Sequence, residues 1–357
     1  MTNQPLSSWV KSGSPWVWLN AGAVSISLVM VIGLLGLIAV RGLSHFWPAD
    51  IVAVGYVEPG KDSVTLLGEV VDKETVSALR LRNAGVVLPE GQSSGERFLL
   101  KIGNRDYFGL DYRWVNGPWM AEEIRPVNVV AIERREWGHF YGYLSAVKEA
   151  GELVAKGDPA WNELQQRLER SNSLVAQIKK IEKHAIGDIN HALESLRLDE
   201  RQLDIDGIAE GSLQHQEIAE SRQAWNEQYK VLQERLEGLY RALNRDQITM
   251  MMSDGREVEI PLAKVVDAYR PNAMSRLDKL GFYFNEVWKF VSGDPREANT
   301  EGGIFPAIFG TVMMVMIMAV LVTPFGVVAA VYLKEYATQG PTIRLIRIAV
   351  NNLAGVP

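Results

Sequence analysis

The chain contains no cysteine. Disulfides and thiolate metal sites are therefore excluded, and an oxidising compartment is compatible with the composition without being required by it. Histidine is scarce: His45, His139, His184, His191 and His215. None belongs to an HExxH motif or an i,i+4 pair. His184 and His191 lie seven apart on a helical stretch and read as surface polar positions rather than metal ligands. The GxSxG spacing occurs at Gly91-Gln-Ser-Ser-Gly95, but it leads into the strand candidate Arg97–Ile102 and not into a helix, so it lacks the strand–turn–helix setting of a nucleophile elbow. The sequence thus offers no catalytic residue and no metal site, and it reads as something other than an enzyme.

Charge is also missing from both ends. Outside residues 48–303 the charged side chains are Lys11, Arg41, Lys334, Arg344, Arg347 and one acid, Glu335. These ends carry +4 in all, so the block between them carries −10 against a chain total of −6. An acidic block with basic residues confined to apolar flanks argues against nucleic acid as a partner.

What fills the ends is apolar. Ile304–Leu333 has no charged residue. Such a run, about thirty residues, exceeds the roughly twenty an α-helix needs to cross a bilayer. A second run, Trp16–Val40, is charge-free from Ala21. It is too long for the apolar region of a signal peptide, and Val40-Arg41-Gly42 makes a poor cleavage site. Both read as membrane helices, over 16–41 and 304–333. Trp16 and Trp18 at one end of the first, and Phe46 and Trp47 at the other, sit as an aromatic belt would. Lys334, Arg344 and Arg347 place the end of the second helix in the cytoplasm. Residues 1–15 are then a cytoplasmic tail, and 48–303 lie outside.

Within the outer block, Gly and Pro punctuate Asp50–Glu136, which favours short strands. Ser63–Gly68, Arg97–Ile102 and Pro126–Ile132 are candidates, with Gly103-Asn104 turning the chain toward a further strand at Tyr107-Phe-Gly-Leu. From Trp161 the period changes. Leu164, Leu168, Val175, Ile178, Ile181, Ala185, Ile189, Ala192 and Leu196 recur at mostly three- and four-residue steps, with Ser171 in the one missing place. Trp225, Tyr229, Leu232, Leu236, Leu239 and Leu243 form a heptad seam. The pattern predicts an antiparallel coiled-coil hairpin over 161–245. A β-hairpin around Asp254-Gly255 follows, so strands flank the helices on both sides. Ala263–Arg270 and Met274–Val291 read as amphipathic helices.

Gly55-Tyr-Val-Glu-Pro-Gly60-Lys61-Asp62 has the spacing of a phosphate-binding loop. It puts Asp62 where magnesium needs Ser or Thr, and no apolar helix follows, so it reads as a turn. Met313, Met314, Met316 and Met318 in the second apolar run read as flexible packing rather than a metal path. Gly310, Ala319, Thr323, Gly326 and Ala330 give that run small faces, where another helix approaches closely. Pro324 removes a backbone donor, which is tolerated beside protein neighbours. A plain anchor needs neither feature. Beyond it, Ile343–Val350 reads as a helix on the cytoplasmic interface with Arg344 and Arg347 on one face, and Asn351–Pro357 turns apolar again as the start of a third membrane segment.

Three ordered blocks carry a resemblance. They are Glu301-Gly-Gly-Ile-Phe-Pro-Ala-Ile-Phe-Gly-Thr, Thr323-Pro-Phe-Gly-Val-Val-Ala-Ala-Val-Tyr-Leu-Lys-Glu-Tyr and Ile346-Arg-Ile-Ala-Val-Asn-Asn-Leu-Ala-Gly-Val-Pro. Together they resemble the phosphate-specific ABC transporter permease of the A type. The motif positions are Gly302, Gly303, Pro306, Gly310, Pro324, Gly326, Tyr336, Asn351, Asn352, Gly355 and Pro357. The resemblance implies half of a phosphate pathway in a bacterial inner membrane. Its partners would be a cytoplasmic ATPase dimer, a periplasmic phosphate-binding protein and a sister permease subunit. ATP would be used by the partner, and this chain would hold no cofactor. The family's Glu-Ala-Ala coupling loop and membrane arginines lie further downstream than Pro357, so no ion-path residue is carried over and a truncated permease is expected. Compact members lack the large 48–303 block.

The expected fold is therefore a partial membrane all-α permease of the ABC importer type, bearing a large external α+β domain with a coiled-coil hairpin. Two rival readings are a membrane-anchored periplasmic adaptor or sensor, and a permease for another oxyanion.

Overall fold

The computed structural model describes residues 14–83, 85, 86, 88, 91–296, 301–338 and 340–354. The chain divides into two compact units, Met1–Asn285 and Glu286–Pro357.

The first unit opens with α1 (Ser14–Ser44), whose side chains are exposed from Trp16 to Ser44. Two antiparallel sheets follow. The first is built from β1 (Ile51–Tyr56), β2 (Val64–Ser77), β3 (Ser94–Lys101), β4 (Tyr112–Asn116) and β5 (Met120–Ile124), in the order β4-β3-β2-β1-β5. A short helix, α2 (Ala78–Asn83), links β2 to β3, and a single turn, α3 (Arg105–Phe108), links β3 to β4. Tyr107 thus lies in a helical turn, and the strand expected at Tyr107–Leu110 begins only at Tyr112. Asn104, in the left-handed region at φ 54°, starts that turn.

The second sheet contains β6 (Val129–Arg134), β7 (His139–Glu149) and β8 (Glu152–Lys156) from before the long helices. After them come β9 (Asp246–Met251), β10 (Glu257–Pro261) and β11 (Val265–Tyr269). Its order is β10-β9-β7-β6-β11, with β8 on β7. β7 pairs with β9, Val147 opposite Ile248, so the helices between them are an insertion into this sheet. β9 and β10 form the hairpin around Asp254-Gly255, with Met251 opposite Glu257. Ala263–Arg270 is not a helix. Its Val-Val-Asp-Ala-Tyr run is β11, which pairs along β6 with Ala268 opposite Ile132. β-branched residues and a partner edge outweigh a short apolar spacing that fits either period.

β6 shows why strand alternation matters here. Val130 and Ile132 face a core shared with Phe140, Ile248 and Leu262, whereas Val129 and Ala131 face a second core with Ile51, Leu67 and Tyr141. Successive side chains point to opposite faces, so a strand covered on both sides reads as a continuous apolar run. The second core joins the sheets, because Ile51 and Leu67 belong to the first and Val129 and Tyr141 to the second.

The insertion consists of α4 (Pro159–Lys180), a π-helical turn at Ile181–Ala185, α5 (Ile186–Ile205) and α6 (Leu213–Leu243). Contacts between the arms step back along one as they step forward along the other: Asp204 with His215 at 3.4 Å, Glu200 with Arg222, and Glu182 with Tyr240 at 2.6 Å. The arms are antiparallel. Ile178, Ile181 and Ile189 are buried on one arm, Trp225, Leu232, Leu236 and Leu239 half-buried on the other. Tyr229 stays 39% exposed, as expected where two helices share only a narrow stripe. The first turns of α4 do not belong to this seam. Ala160, Leu164 and Leu168 are buried in the core of the second sheet, and Ser171, at the missing apolar step, donates its hydroxyl to the Leu262 carbonyl at 3.1 Å.

α7 (Arg276–Ser292) runs across the border between the units. The second unit continues with a two-stranded link, β12 (Pro295–Arg296) and β13 (Glu301–Gly302), then α8 (Phe305–Val331), a π-helical turn at Tyr332–Tyr336 and α9 (Pro341–Ala354).

Candidate functional site

α1 and α8 are the elements on which any membrane function depends. With their ends they cover Trp16–Ser44 and Phe305–Tyr336, 29 and 32 residues, and nothing in either is buried inside the protein. At 1.5 Å per residue each exceeds the roughly 30 Å hydrocarbon layer. Both are long and apolar enough to cross it. Several hydroxyls on them bond within the helix, as Ser25 to the Ala21 carbonyl at 2.8 Å and Thr311 to the Ala307 carbonyl at 2.7 Å. Pro324 has no N–H, so the Val320 carbonyl lacks the donor that an α-helix would supply. Thr323, one residue earlier, bonds to the Ala319 carbonyl. Around Gly310 and Gly326 the space a Cβ would enter is open.

The entry to α8 is a tight joint. The Ile304 amide donates to the Phe290 carbonyl at 2.8 Å and the Phe305 amide to the Gly293 carbonyl at 3.2 Å. The last carbonyls around α7 thereby receive the first amides around α8, groups that helix ends otherwise leave unpaired. The approach demands glycine. A Cβ on Gly303 would lie 2.2 Å from the Gly293 oxygen. Gly302 has φ +87°, and its Cβ would meet the Asp294 oxygen at 2.7 Å. Pro306 sits in the first turn of α8, where its missing donor costs no hydrogen bond.

Past α8, the Arg347 guanidinium donates to the Leu333 carbonyl at the end of the apolar run. Arg344 lies one turn earlier on α9. Tyr336 ends the π-helical turn, 76% exposed, and Asn351 is exposed on α9. Asn352 lies within α9, and Gly355 and Pro357 fall outside the described residues. Of the motif positions, the structure gathers Gly302 and Gly303 at one joint and leaves the others spread along α8 and α9.

Two charged clusters in the first unit have no signature in the sequence. At the root of the helical insertion, the buried Asp246 carboxylate accepts from Arg167 at 2.6 Å, Arg170 at 2.8 Å and Arg245 at 3.2 Å. Arg167 also bonds Glu149 at 2.8 Å and Glu163 at 3.1 Å. Burial alone would lower the Arg167 pKa, but these carboxylates together raise it. Elsewhere Arg270 stacks on Trp161, 4.2 Å from the ring centre. Its buried Nε has no hydrogen-bond partner, and burial lowers its pKa, with Asp158 opposing. It lines a cavity of about 520 Å³ with Gln165, Tyr269, Met274 and Phe282.

The phosphate-loop spacing resolves as a turn. Gly55 and Tyr56 end β1, Lys61 pairs with Glu58 at the turn, and the next element is strand β2. Among the described residues no group of His, Asp and Glu could hold a metal ion. His139 instead stacks on Tyr141 and lies 3.1 Å from the Lys101 ammonium.

No family model and no solved structure matches the chain. Three curated proteins do match over a short segment. The chain is 39% identical over 56 residues to the phosphate transport system permease protein PstA of Mycobacterium leprae (strain TN). It is 45% identical over 56 residues to the phosphate transport system permease protein PstA 1 of Mycobacterium tuberculosis, in strain CDC 1551 / Oshkosh and in strain ATCC 25618 / H37Rv. In each case the match covers 16% of this chain and 18% of the relative. Over that segment alone, the chain is partly similar to phosphate transport permeases.

Proposed function

We propose that this chain belongs to the transmembrane permease subunit of an ATP-driven inorganic phosphate importer and forms part of one half of its pathway. The observation that carries this is the 56-residue similarity to phosphate permeases in a chain with two membrane-length helices. The chain does no covalent chemistry. ATP is hydrolysed by a cytoplasmic ATPase dimer, while a periplasmic phosphate-binding protein and a sister permease subunit complete the assembly. The protein sits in the bacterial inner membrane with its N-terminus and α9 cytoplasmic and residues 48–303 in the periplasm. Pro324 and the small residues of α8 support a position for that helix within a bundle, where neighbours cover the freed Val320 carbonyl. The helical insertion acts as a coiled coil that orients the binding protein.

The test is uptake of radiolabelled phosphate by cells of the source organism with and without the gene. Loss of uptake at low external phosphate, restored by the gene, is the expected result. Unchanged phosphate uptake with lost uptake of another oxyanion identifies a different substrate. Unchanged uptake of every anion tested, with a defect in assembly of a neighbouring envelope complex, favours the adaptor, for which a helical hairpin set in a β-sheet is the supporting observation.

A further inference from the structure

α7, which passes from the first unit into the second, has one exposed face. Leu277, Leu280, Phe284, Trp288 and Val291 are 80%, 44%, 62%, 69% and 41% exposed. Their steps of three and four residues put them on one stripe of the helix. Gly281 shares the stripe and no charged residue does. Arg276, Asp278, Lys279, Glu286 and Lys289 fall on the remaining arc. The opposite face is occupied: Lys279 pairs with Asp50, and the Phe282 ring lies 4.5 Å from Tyr269. An apolar stripe of two aromatics and three aliphatics left open on a helix calls for a partner.

Both ends of α7 carry information about that partner. In the first unit Tyr283 packs on Trp47 at 6.2 Å between ring centres, and Trp47 lies three residues beyond the end of α1. In the second unit the last turn of α7 hands its Phe290 carbonyl to Ile304, the residue before α8. Within the first unit α7 is thus tied by a side chain to the segment after α1, and within the second by backbone to the residue before α8. We propose that α7 lies in the headgroup region of the bilayer that holds α1 and α8, with Leu277, Leu280, Phe284, Trp288 and Val291 turned into the lipid.

A helix with an uncharged apolar face and a charged back rests in this way, its apolar side about 5–10 Å into the boundary between headgroups and chains. Trp288 sits where an interfacial indole is favoured. The inference rests on α1 and α8 crossing a membrane and not on phosphate as the substrate.

The absence of cysteine makes the test clean, because a single introduced cysteine carries a lone spin label. The full chain is reconstituted in lipid bilayers with one label at Phe284→Cys, Trp288→Cys, Asn285→Cys or Met314→Cys. Collisions with oxygen, which concentrates in lipid, are compared with collisions with a water-soluble nickel chelate. Labels at 284 and 288 are expected to favour oxygen several-fold over the label at 285, and the label at 314 to favour it most. Nickel access at 284 and 288 equal to that at 285 overturns the proposal. Shielding of 284 and 288 from both reagents also overturns it and assigns the face to a protein neighbour. Nickel access at 314 removes the membrane reading itself, an outcome separable from the other two. All four side chains are exposed, so the substitutions leave the packed core intact.

Discussion

Asn104 and Tyr141 exchange two hydrogen bonds: the Asn104 amide nitrogen donates to the Tyr141 carbonyl at 2.9 Å, and the Tyr141 amide donates to the Asn104 side-chain oxygen at 2.7 Å. One side chain thus serves β7 as a strand edge would. Asn272 does the same for Ile51 on β1, at 2.9 and 2.7 Å. The first pairs a loop of the first sheet with the second sheet, and the second reverses the direction. Asn104→Ala leaves two buried backbone groups unpaired, at roughly 1–3 kcal/mol each. A loss of about 2–6 kcal/mol is expected, read as a lower unfolding midpoint of the detergent-solubilised chain. Asn104→Asp should lose nearly as much, because a carboxylate cannot donate to the Tyr141 carbonyl.

Tyr141 also governs the alkaline limit. Its ring is fully buried, and its hydroxyl donates to Glu69 at 2.7 Å. Burial first, and the Glu69 charge second, raise its pKa well above the ordinary 10.0. In the unfolded chain the phenol loses its proton near pH 10. Above that the unfolded state binds fewer protons than the folded one, so stability falls as pH rises. Below it the contribution is fully present. Tyr141→Phe should lower the midpoint at neutral pH, since Glu69 loses its donor, yet flatten the decline above about pH 10. A variant with the parent's alkaline slope would show that another group titrates there.

Gly303→Ala forces a methyl group to within 2.2 Å of the Gly293 oxygen. The joint must open, and the Ile304–Phe290 and Phe305–Gly293 hydrogen bonds go with it. Faster amide exchange at Ile304 and Phe305, with unchanged exchange in β6 and β7, is the expected signature. Gly310→Ala, with no atom within 4 Å of the new carbon, should leave exchange at the joint unaltered.

The helical insertion has a natural cut. Leu164 and Leu168 lie in the sheet core and Leu243 is buried, so removing 161–243 should prevent folding. Removing 184–238 and joining the ends by a short turn near the Glu182–Tyr240 pair should leave an unfolding midpoint close to the parent. If the insertion orients a binding protein, the shortened chain keeps its fold and loses that affinity.

What the sequence discloses follows from the range of each interaction. The apolar runs of α1 and α8 and the three-four steps of α4 to α6 are local patterns, legible one residue at a time. β11 reads as a helix from its sequence because Val265, Ala268 and Tyr269 fit a helical stripe as well as a strand, and only the edge of β6 decides between them. The Asn104–Tyr141 exchange, the three arginines on Asp246 and the Gly293–Gly303 approach depend on how separate segments meet. No spacing announces them. The Gly302-Gly303 pair is visible as a motif, but its reason, a carbonyl of Gly293 where a methyl would be, is not.

The Asp246 cluster sets the aim of the helical insertion. From Ser171 to Ile205 the first arm extends about 50 Å at 1.5 Å per residue, while its bearing is fixed near its foot by Arg167, Arg170 and Arg245 on one carboxylate. On a lever of that length one degree of tilt at the foot swings the far end by about 0.9 Å. A slackened ion pair there, too slight to alter the sheets, is enough to make the tip miss whatever it reaches for.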